Sequence, residues 1–386
     1  MRILKLIFKN TGRHMLRTTL TVLGMAIAVM AFVVIRTAVD AWYSQAKASS
    51  PNRLVSINAV SLVFPIPLAY KQKVADVPGV KAVTYAQWFG GIYVDPKNFF
   101  PQFAVDPTTY FPMYPEFLIP ADQMDAFMRD RNACLVGQKL ADRFGWKVGD
   151  AIRLTGTIYP GDWDFVLRAI YTGAKENTDE GAFYFHFTNL DERMRAEAPI
   201  RAGQVGSFIE QIDDPGQAAQ VSDRIDALFK NSPAETKTQT EESFSLSFVA
   251  MTGSIVSGLK IISVMVIGII LLVLANTMAM TARERISEYA VLKTLGFRAY
   301  HIVGLIFGES IFIAAMGGVA GGLLAFYGVI PLMKKGLSNY FSVIPVEPMT
   351  FVFAGISAII VGLLAAIFPT LKALRTSIVD GLRIID

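Results

Sequence analysis

Four stretches of this chain run uncharged for about the thickness of a bilayer: Thr18 to Ile35, Ile261 to Ala282, Ser310 to Met333 and Pro348 to Leu371. A helix rises about 1.5 Å per residue, so roughly 20 apolar residues cross a membrane core. Inside lipid every backbone amide and carbonyl must be satisfied within the element, which leaves few folds open to such a chain. A buried core helix explains one run of this kind. Four of them in 386 residues, with charged residues at only 18%, read as four transmembrane helices. Arg2, Lys5, Lys9, Arg13 and Arg17 form a basic leader before the first run, as in a signal peptide. The apolar part is long, however, and no small-x-small site follows directly, so the reading is an uncleaved anchor.

Lys and Arg close to the spans set the orientation. The leader, the segment with Arg283, Arg285, Lys293 and Arg298, and the tail with Lys372, Arg375 and Arg383 together carry twelve basic residues. Five acidic residues, Glu284, Glu288, Glu309, Asp380 and Asp386, accompany them. Four spans put all three segments on one side, and the basic excess makes that side cytoplasmic. The net charge of +4 is thus a matter of topology and gives no support for binding nucleic acid.

The expected layout is an interfacial amphipathic helix over 1–17, spans over 18–39, 261–282, 310–331 and 349–371, and an extracytoplasmic domain over 40–240. A stalk helix over 241–260, a cytoplasmic segment over 283–309, a short outer loop over 332–348 and a tail over 372–386 complete it. The fold class is an α-helical membrane protein, four transmembrane helices, with a large extracytoplasmic α+β (mixed) domain between the first and second.

Within the large domain, "NRLVSINAV" and "VKAVTYAQWF" are rich in β-branched and aromatic residues and read as strands, with "IPLAYKQKVADVPGV" between them as a helix closed at Pro78-Gly79. "CLVGQKLADRFGWKVGDAIRLTG" reads as strand, helix, turn and strand. "GSFIEQI" is a further strand, and "DPGQAAQVSDRIDALFK" a helix that starts near Asp214. Cys134 is the single cysteine, so no internal disulfide forms and the core alone must hold the domain. Aromatic residues gather between Phe99 and Phe117; they could line a site for a hydrophobic ligand, or simply be core, the commoner use.

The chain lacks a GxxxxGK[ST] phosphate loop, so it is not expected to hydrolyse ATP itself. His14, His186 and His301 are scattered along it, which disfavours a metal site, and no GxSxG elbow occurs. The acidic pairs Asp162/Asp164 and Asp213-Asp214 read as solvated turns. The expectation is a chain with no catalytic residue, no metal and no cofactor of its own.

Two features stand out in the spans. "GGVAGG" makes two overlapping small-xxx-small pairs, Gly317/Gly321 and Gly318/Gly322, which let another helix approach closely, either as a static seam or as one that repacks. Asn276 is a polar group at membrane depth that should face protein, a simple interhelical hydrogen bond being the plainer use. Between the second and third spans lies "TARERISEYAVLKTLGFRAYHI". It uses good helix formers and stops at Gly296. Arg285 and Glu288, three apart, can pair, while Glu284 and Glu288, four apart, repel. Leu292 and Leu295 add apolar area. The segment is either a positive connector or a helix that docks a soluble partner.

"NTMAMTARERISEYAVLKTLGFRAYHIVGLIFGES" resembles the signature of FtsX/MacB-type ABC transporter permeases, with Glu284, Arg285, Glu288, Leu295, Gly296 and Glu309 in its positions. The tail "FPTLKALRTSIVDGLR" is similar to that family's closing motif through Pro369, Ala373, Leu382 and Arg383, with Ser377 where the family has proline. The leader "HMLRTTLTVLGMAIAV" and the stretches "FPIPLAYKQKVADVPGVKAV" and "LVGQKLADRFGWKVGDAIRL" are similar too. The resemblance implies a coupling helix gripped by a separate cytoplasmic ABC ATPase, which carries the ATP and Mg. It further implies a second permease copy or homologue as dimer partner, bacterial inner-membrane placement with both termini cytoplasmic, and force transmitted to the periplasmic domain to export or extract a substrate. A periplasmic adaptor and an outer-membrane channel are further possible partners, besides membrane lipid. Two alternatives stay open: an FtsX-like regulator of a cell-wall hydrolase, and a membrane-anchored sensor or binding module.

Overall fold

The computed structural model describes residues 15–175, 177–251, 253–337 and 344–376. Residues 1–14 of the expected interfacial helix, and Ser377, Leu382 and Arg383 of the tail motif, lie outside the described residues. The chain divides into two units: one of long helices and one built on a sheet, residues 41–252.

In chain order the elements are α1 (Met15–Ala48), β1 (Arg53–Asn58), β2 (Ile66–Pro67), α2 (Tyr70–Ala75), β3 (Val80–Trp88), β4 (Gly91–Ile92), β5 (Gln102–Val105), α3 (Pro107–Met113), β6 (Phe117–Leu118) and α4 (Ala121–Arg129). Then come β7 (Ala133–Gly137), α5 (Gln138–Phe144), β8 (Ala151–Gly156), β9 (Gly161–Gly173), β10 (Phe183–His186), α6 (Phe187–Glu197), β11 (Gln204–Val205), β12 (Ser207–Ile212), α7 (Ala218–Phe229) and β13 (Thr236–Thr240). The last helices are α8 (Glu241–Met251), α9 (Gly253–Glu284), α10 (Ile286–Thr294), α11 (Ala299–Leu324), α12 (Ile330–Leu337) and α13 (Pro348–Arg375), with a π turn at Ala325–Val329 between α11 and α12.

The sheet runs β13-β1-β12-β3-β5-β10-β7-β9-β8-β4 and is mixed, with β5/β10 and β7/β9 parallel. Both faces are covered. One core takes Val74 of α2, Leu140 of α5, Leu190 of α6 and Ile225 of α7; the other takes Tyr110 of α3 and Phe127 of α4. Strand β9 shows why register matters. Trp163, Phe165 and Leu167 alternate into the first core, and an irregularity opposite Cys134/Leu135 turns Ala169 and Tyr171 into the second. One extra residue in a strand reverses every later side chain. The aromatic stretch resolves accordingly: Phe100 packs in one core and Tyr110, Phe111 and Tyr114 in the other, while Phe99 is exposed.

Among the described residues, four helices are long and apolar enough to cross a membrane: Met15–Ser44, Gly253–Glu284, Ala299–Gly336 and Pro348–Arg375. Helix α13 packs against both α9 and α11. Helix α9 meets it along a stripe of Ile270, Leu274, Met278 and Ala282, one residue per turn. The third long helix starts at Ala299, well before the uncharged run, because Glu309 is buried against protein there and costs the helix no exposure to lipid.

Candidate functional site

The charged segment after α9 folds against the helix unit. At Arg285 the backbone leaves the helical region (φ −107°, ψ 12°), which ends α9 and starts α10. The Arg285 guanidinium turns inward, donating from Nε to Glu288 at 3.0 Å and from Nη1 to Glu309 of α11 at 2.9 Å. Burial by itself would lower its pKa; Tyr289 beneath it and the carboxylates of Glu309 and Glu288 outweigh that, so its proton is held more tightly than usual. Glu284 takes two bonds from Arg17 of α1, at 2.6 and 2.8 Å. Lys293 reaches the end of α13 and donates to the carbonyls of Ala373, Leu374 and Thr376 at 3.2, 3.3 and 2.8 Å. The last carbonyls of a helix find no donor within it, and a cation is favoured at that pole of the helix dipole.

The stop after α10 is a Schellman turn. Gly296 has φ +87°, its amide bonds Lys293 O at 3.1 Å, and the Phe297 amide bonds Leu292 O at 3.0 Å. Arg298 then opens α11, its amide received by His301 Nδ1 at 3.2 Å.

From the sequence, Glu284, Arg285, Glu288, Leu292, Leu295 and Gly296 are the candidates for docking a soluble partner. In the structure Glu284 and Arg285 are engaged with α1 and α11, Leu292 is half-buried in the helix core, and Glu288 is half-exposed beside Arg285. The uncovered surface is made by Val291, Leu295, Gly296, Arg298 and Tyr300, with Leu295 at 70% and Tyr300 at 61% exposure. Val291 was missed because a helix of nine residues gives too short a pattern to show which side packs, and Tyr300 because it lies past the Gly296 stop, at the start of α11. The pairing of Arg17 with Glu284 spans 267 positions, a separation no local pattern encodes.

The two glycine pairs divide between neighbours. A β-carbon on Gly317 would come within 2.5 Å of Met25, and one on Gly321 would overlap the Ala26 carbonyl, so this pair seats α1. Gly318 and Gly322 face Ala358 and Phe351 of α13 instead. Gly362, absent from the sequence reading, completes the seam: its β-carbon would meet Ala314 at 2.8 Å, and Ser310 donates to its carbonyl at 2.6 Å. Pro369 and Ala373 are buried in α13. Asn276 is exposed on α9, which is only 6% buried along its apolar window, against 44% for the third span.

In the sheet unit, Arg53 at the start of β1 joins three segments. It donates to Glu241 at the start of α8 at 2.8 Å and to the Met113 carbonyl at 3.0 Å, pairs with Glu116, and lies 4.2 Å from the centre of the Tyr114 ring. It ties the strand that follows α1 to the helix that precedes α9.

Two family profiles match the chain. The MacB-like periplasmic core domain covers residues 18–228, more than half the chain, and the FtsX-like permease C-terminal covers 260–378. An ABC transporter permease of Methanocaldococcus jannaschii is 21% identical over 97% of this chain and 96% of its own length. One of Mycobacterium tuberculosis is 21% identical over 68% of this chain, which spans 30% of that longer protein. Both are described as uncharacterized. The extracellular domain of the noncanonic ABC-type transporter YknZ from Gram-positive bacteria is similar at 11% identity, over 49% of this chain and 100% of that one, with a TM-score of 0.35. A domain of a permease protein from Porphyromonas gingivalis follows at 15% identity, 49% and 90% coverage and a TM-score of 0.33. With one profile over the first span and sheet domain and another over the remaining spans, the chain belongs to the FtsX/MacB-type ABC transporter permeases.

Proposed function

We propose that this chain is the membrane subunit of a bacterial inner-membrane exporter or extractor, working with separate cytoplasmic ABC ATPase subunits. The surface of Val291, Leu295, Gly296, Arg298 and Tyr300 receives the ATPase. The observation that carries this reading is the contrast across residues 284–300: Glu284, Arg285 and Lys293 tie the segment to α1, α11 and α13, while Val291, Leu295 and Tyr300 stand uncovered. A short helix braced in this way moves with the spans when pushed. Motion then passes along α9 and α8 to the sheet domain, which acts on the substrate.

A second copy or homologue of the chain covers the open side of α9, where Asn276 finds its partner. ATP and Mg belong to the ATPase, and this chain itself catalyses nothing. Both termini are cytoplasmic and the sheet domain is extracytoplasmic.

The test is gentle solubilisation of native membranes with the tagged chain, scored for a co-purifying ATPase and vanadate-sensitive ATP hydrolysis. Wild type retains the ATPase; Leu295→Asp loses it while the sheet domain keeps its thermal transition. If no ATPase accompanies wild type, or if Leu295→Asp and Val291→Asp both retain it, the docking assignment fails.

A further inference from the structure

Strands β13, β1 and β12 are neighbours in the sheet, and a row of polar side chains crosses them beneath α7. Glu210 of β12 is fully buried, opposite Leu54 of β1 and Val83 of β3. Its Oε1 lies 2.6 Å from Ser56 Oγ of β1, which lies 2.7 Å from Thr238 Oγ1 of β13. Thr238 Oγ1 is in turn 2.7 Å from Asp226 Oδ1 of α7. The row reads carboxyl, hydroxyl, hydroxyl, carboxyl.

Counting protons decides its state. Three short contacts link the four groups, and the two hydroxyls supply only two protons. If Ser56 donates to Glu210 and Thr238 to Asp226, the two hydroxyl oxygens face each other at 2.7 Å with no proton between them. The row closes only when one carboxyl is protonated. Asp226 accepts two more bonds, from the Thr236 hydroxyl at 2.9 Å and the Thr238 amide at 3.0 Å, and is half-exposed. Glu210 has no such support: its Oε2 is buried without a hydrogen-bond partner, a costly place for charge. The donors therefore run from Glu210 to Ser56 to Thr238 to Asp226.

We propose that Glu210, Ser56, Thr238 and Asp226 form a buried proton-binding site of the sheet domain, which holds one proton on Glu210 at neutral pH. The strands it joins matter for the fold. The chain enters the domain through β1, soon after α1, and leaves through β13, directly before α8. Loss of the proton puts a charge into the row and turns Ser56 to the carboxylate, which leaves the Ser56–Thr238 contact between β1 and β13 without a proton, so the site makes the root of the domain sensitive to pH.

The surroundings agree. Burial pushes the Glu210 carboxyl up to about 8; Ser56 opposes the shift and the Asp226 charge adds to it. Facing groups are Leu54 and Ser56 from β1, Val83 from β3, Thr236 and Thr238 from β13 and Asp226 from α7, and no cation contributes to the shift. Because the folded state binds this proton more tightly than the unfolded chain, its contribution is complete below about 4.5 and is lost as pH rises to about 8.

The experiment uses the full chain in detergent. Infrared difference spectra at neutral pH between wild type and Glu210→Gln should show a protonated-carboxyl carbonyl band, sensitive to deuterium, that the variant lacks. The unfolding midpoint of wild type should fall from about pH 4.5 to about pH 8 more steeply than that of Glu210→Gln, whose amide can donate to Ser56 at every pH. Asp226→Asn, at the half-exposed end, supplies donors that reverse the row and should weaken the band at neutral pH, whether or not the Glu210 variant folds. An unchanged carboxyl band in both variants, or equal pH slopes in wild type and Glu210→Gln, overturns the site.

Discussion

The sheet domain fills its interior with volume, whereas the spanning helices meet by leaving volume out. Phe89 is fully buried in the first, its ring 5.1 Å from Trp163 and 5.2 Å from Phe185, edge to face. In the second, Gly321 and Gly362 let the Ala26 and Ser310 carbonyls and the β-carbons of Val29 and Ala314 come where a side chain would otherwise stand. Their solvents explain the difference. In water, burying large apolar groups drives folding. In lipid the surroundings are as apolar as leucine, so association depends on close contact, hydrogen bonds and pairing of the few charges. Each unit also buries an arginine, Arg53 with Glu241 in the sheet domain and Arg285 with Glu309 in the helix unit, while Arg153–Asp164 and Arg131–Glu192 lie on the exterior of the sheet domain.

If this contrast is right, the two units respond oppositely to a change of volume. The largest effect is expected from Phe89→Ala, which empties a filled site and costs about 3–5 kcal/mol. Chemical denaturation followed by tryptophan fluorescence measures it, with the helical signal of the spans unchanged. Arg285→Ala should cost a similar or slightly smaller amount, about 3–5 kcal/mol, because it removes the buried cation that the Glu309 carboxylate is paired with. Adding Glu309→Gln should recover much of the loss, and a double-mutant cycle in mixed micelles reads the coupling. No recovery would mean that Arg285 acts by packing alone.

Next comes Gly321→Val, which adds volume where α1 already touches and should cost about 1–3 kcal/mol. Gly355→Ala is its control: nothing lies within 4 Å of a β-carbon there, so the same assay should register no loss. Equal effects at the two glycines would end the close-contact account. The smallest effect is expected from Lys293→Met, about 0.3–1 kcal/mol from the lost cation at the end of α13. Proteolysis after Arg375 should quicken in that variant if the helix end frays.

Much of the fold was legible. The uncharged runs mark the spans, since lipid tolerates no unpaired charge, and the strands around Val55, Thr84, Leu135 and Ile209 announce themselves by β-branched and apolar content. Helix α7 shows its face through Val221 and Ile225, although its first turn is a tight 3-10 segment that Asp214 caps. The short helix α2 was read too long, because Pro78-Gly79 marks where the turn lies but not where the helix stops. At the candidate docking face the segment and its stop at Gly296 were visible, and its orientation was not. Which side of α10 packs depends on Glu309, Arg17 and the carbonyls of Ala373 to Thr376, which come from three other helices.

The sequence alone determined how many helices can span, where the large domain is inserted and where the charged helix ends, because hydropathy, basic flanks and glycine stereochemistry act over a few neighbouring residues. Tertiary structure decided the rest. It placed Arg285 inside and Leu295 outside, gave each glycine pair its own partner helix, and aligned Glu210, Ser56, Thr238 and Asp226 into one row. Each of these rests on distances between residues far apart in the chain, and such distances exist only once the chain has folded.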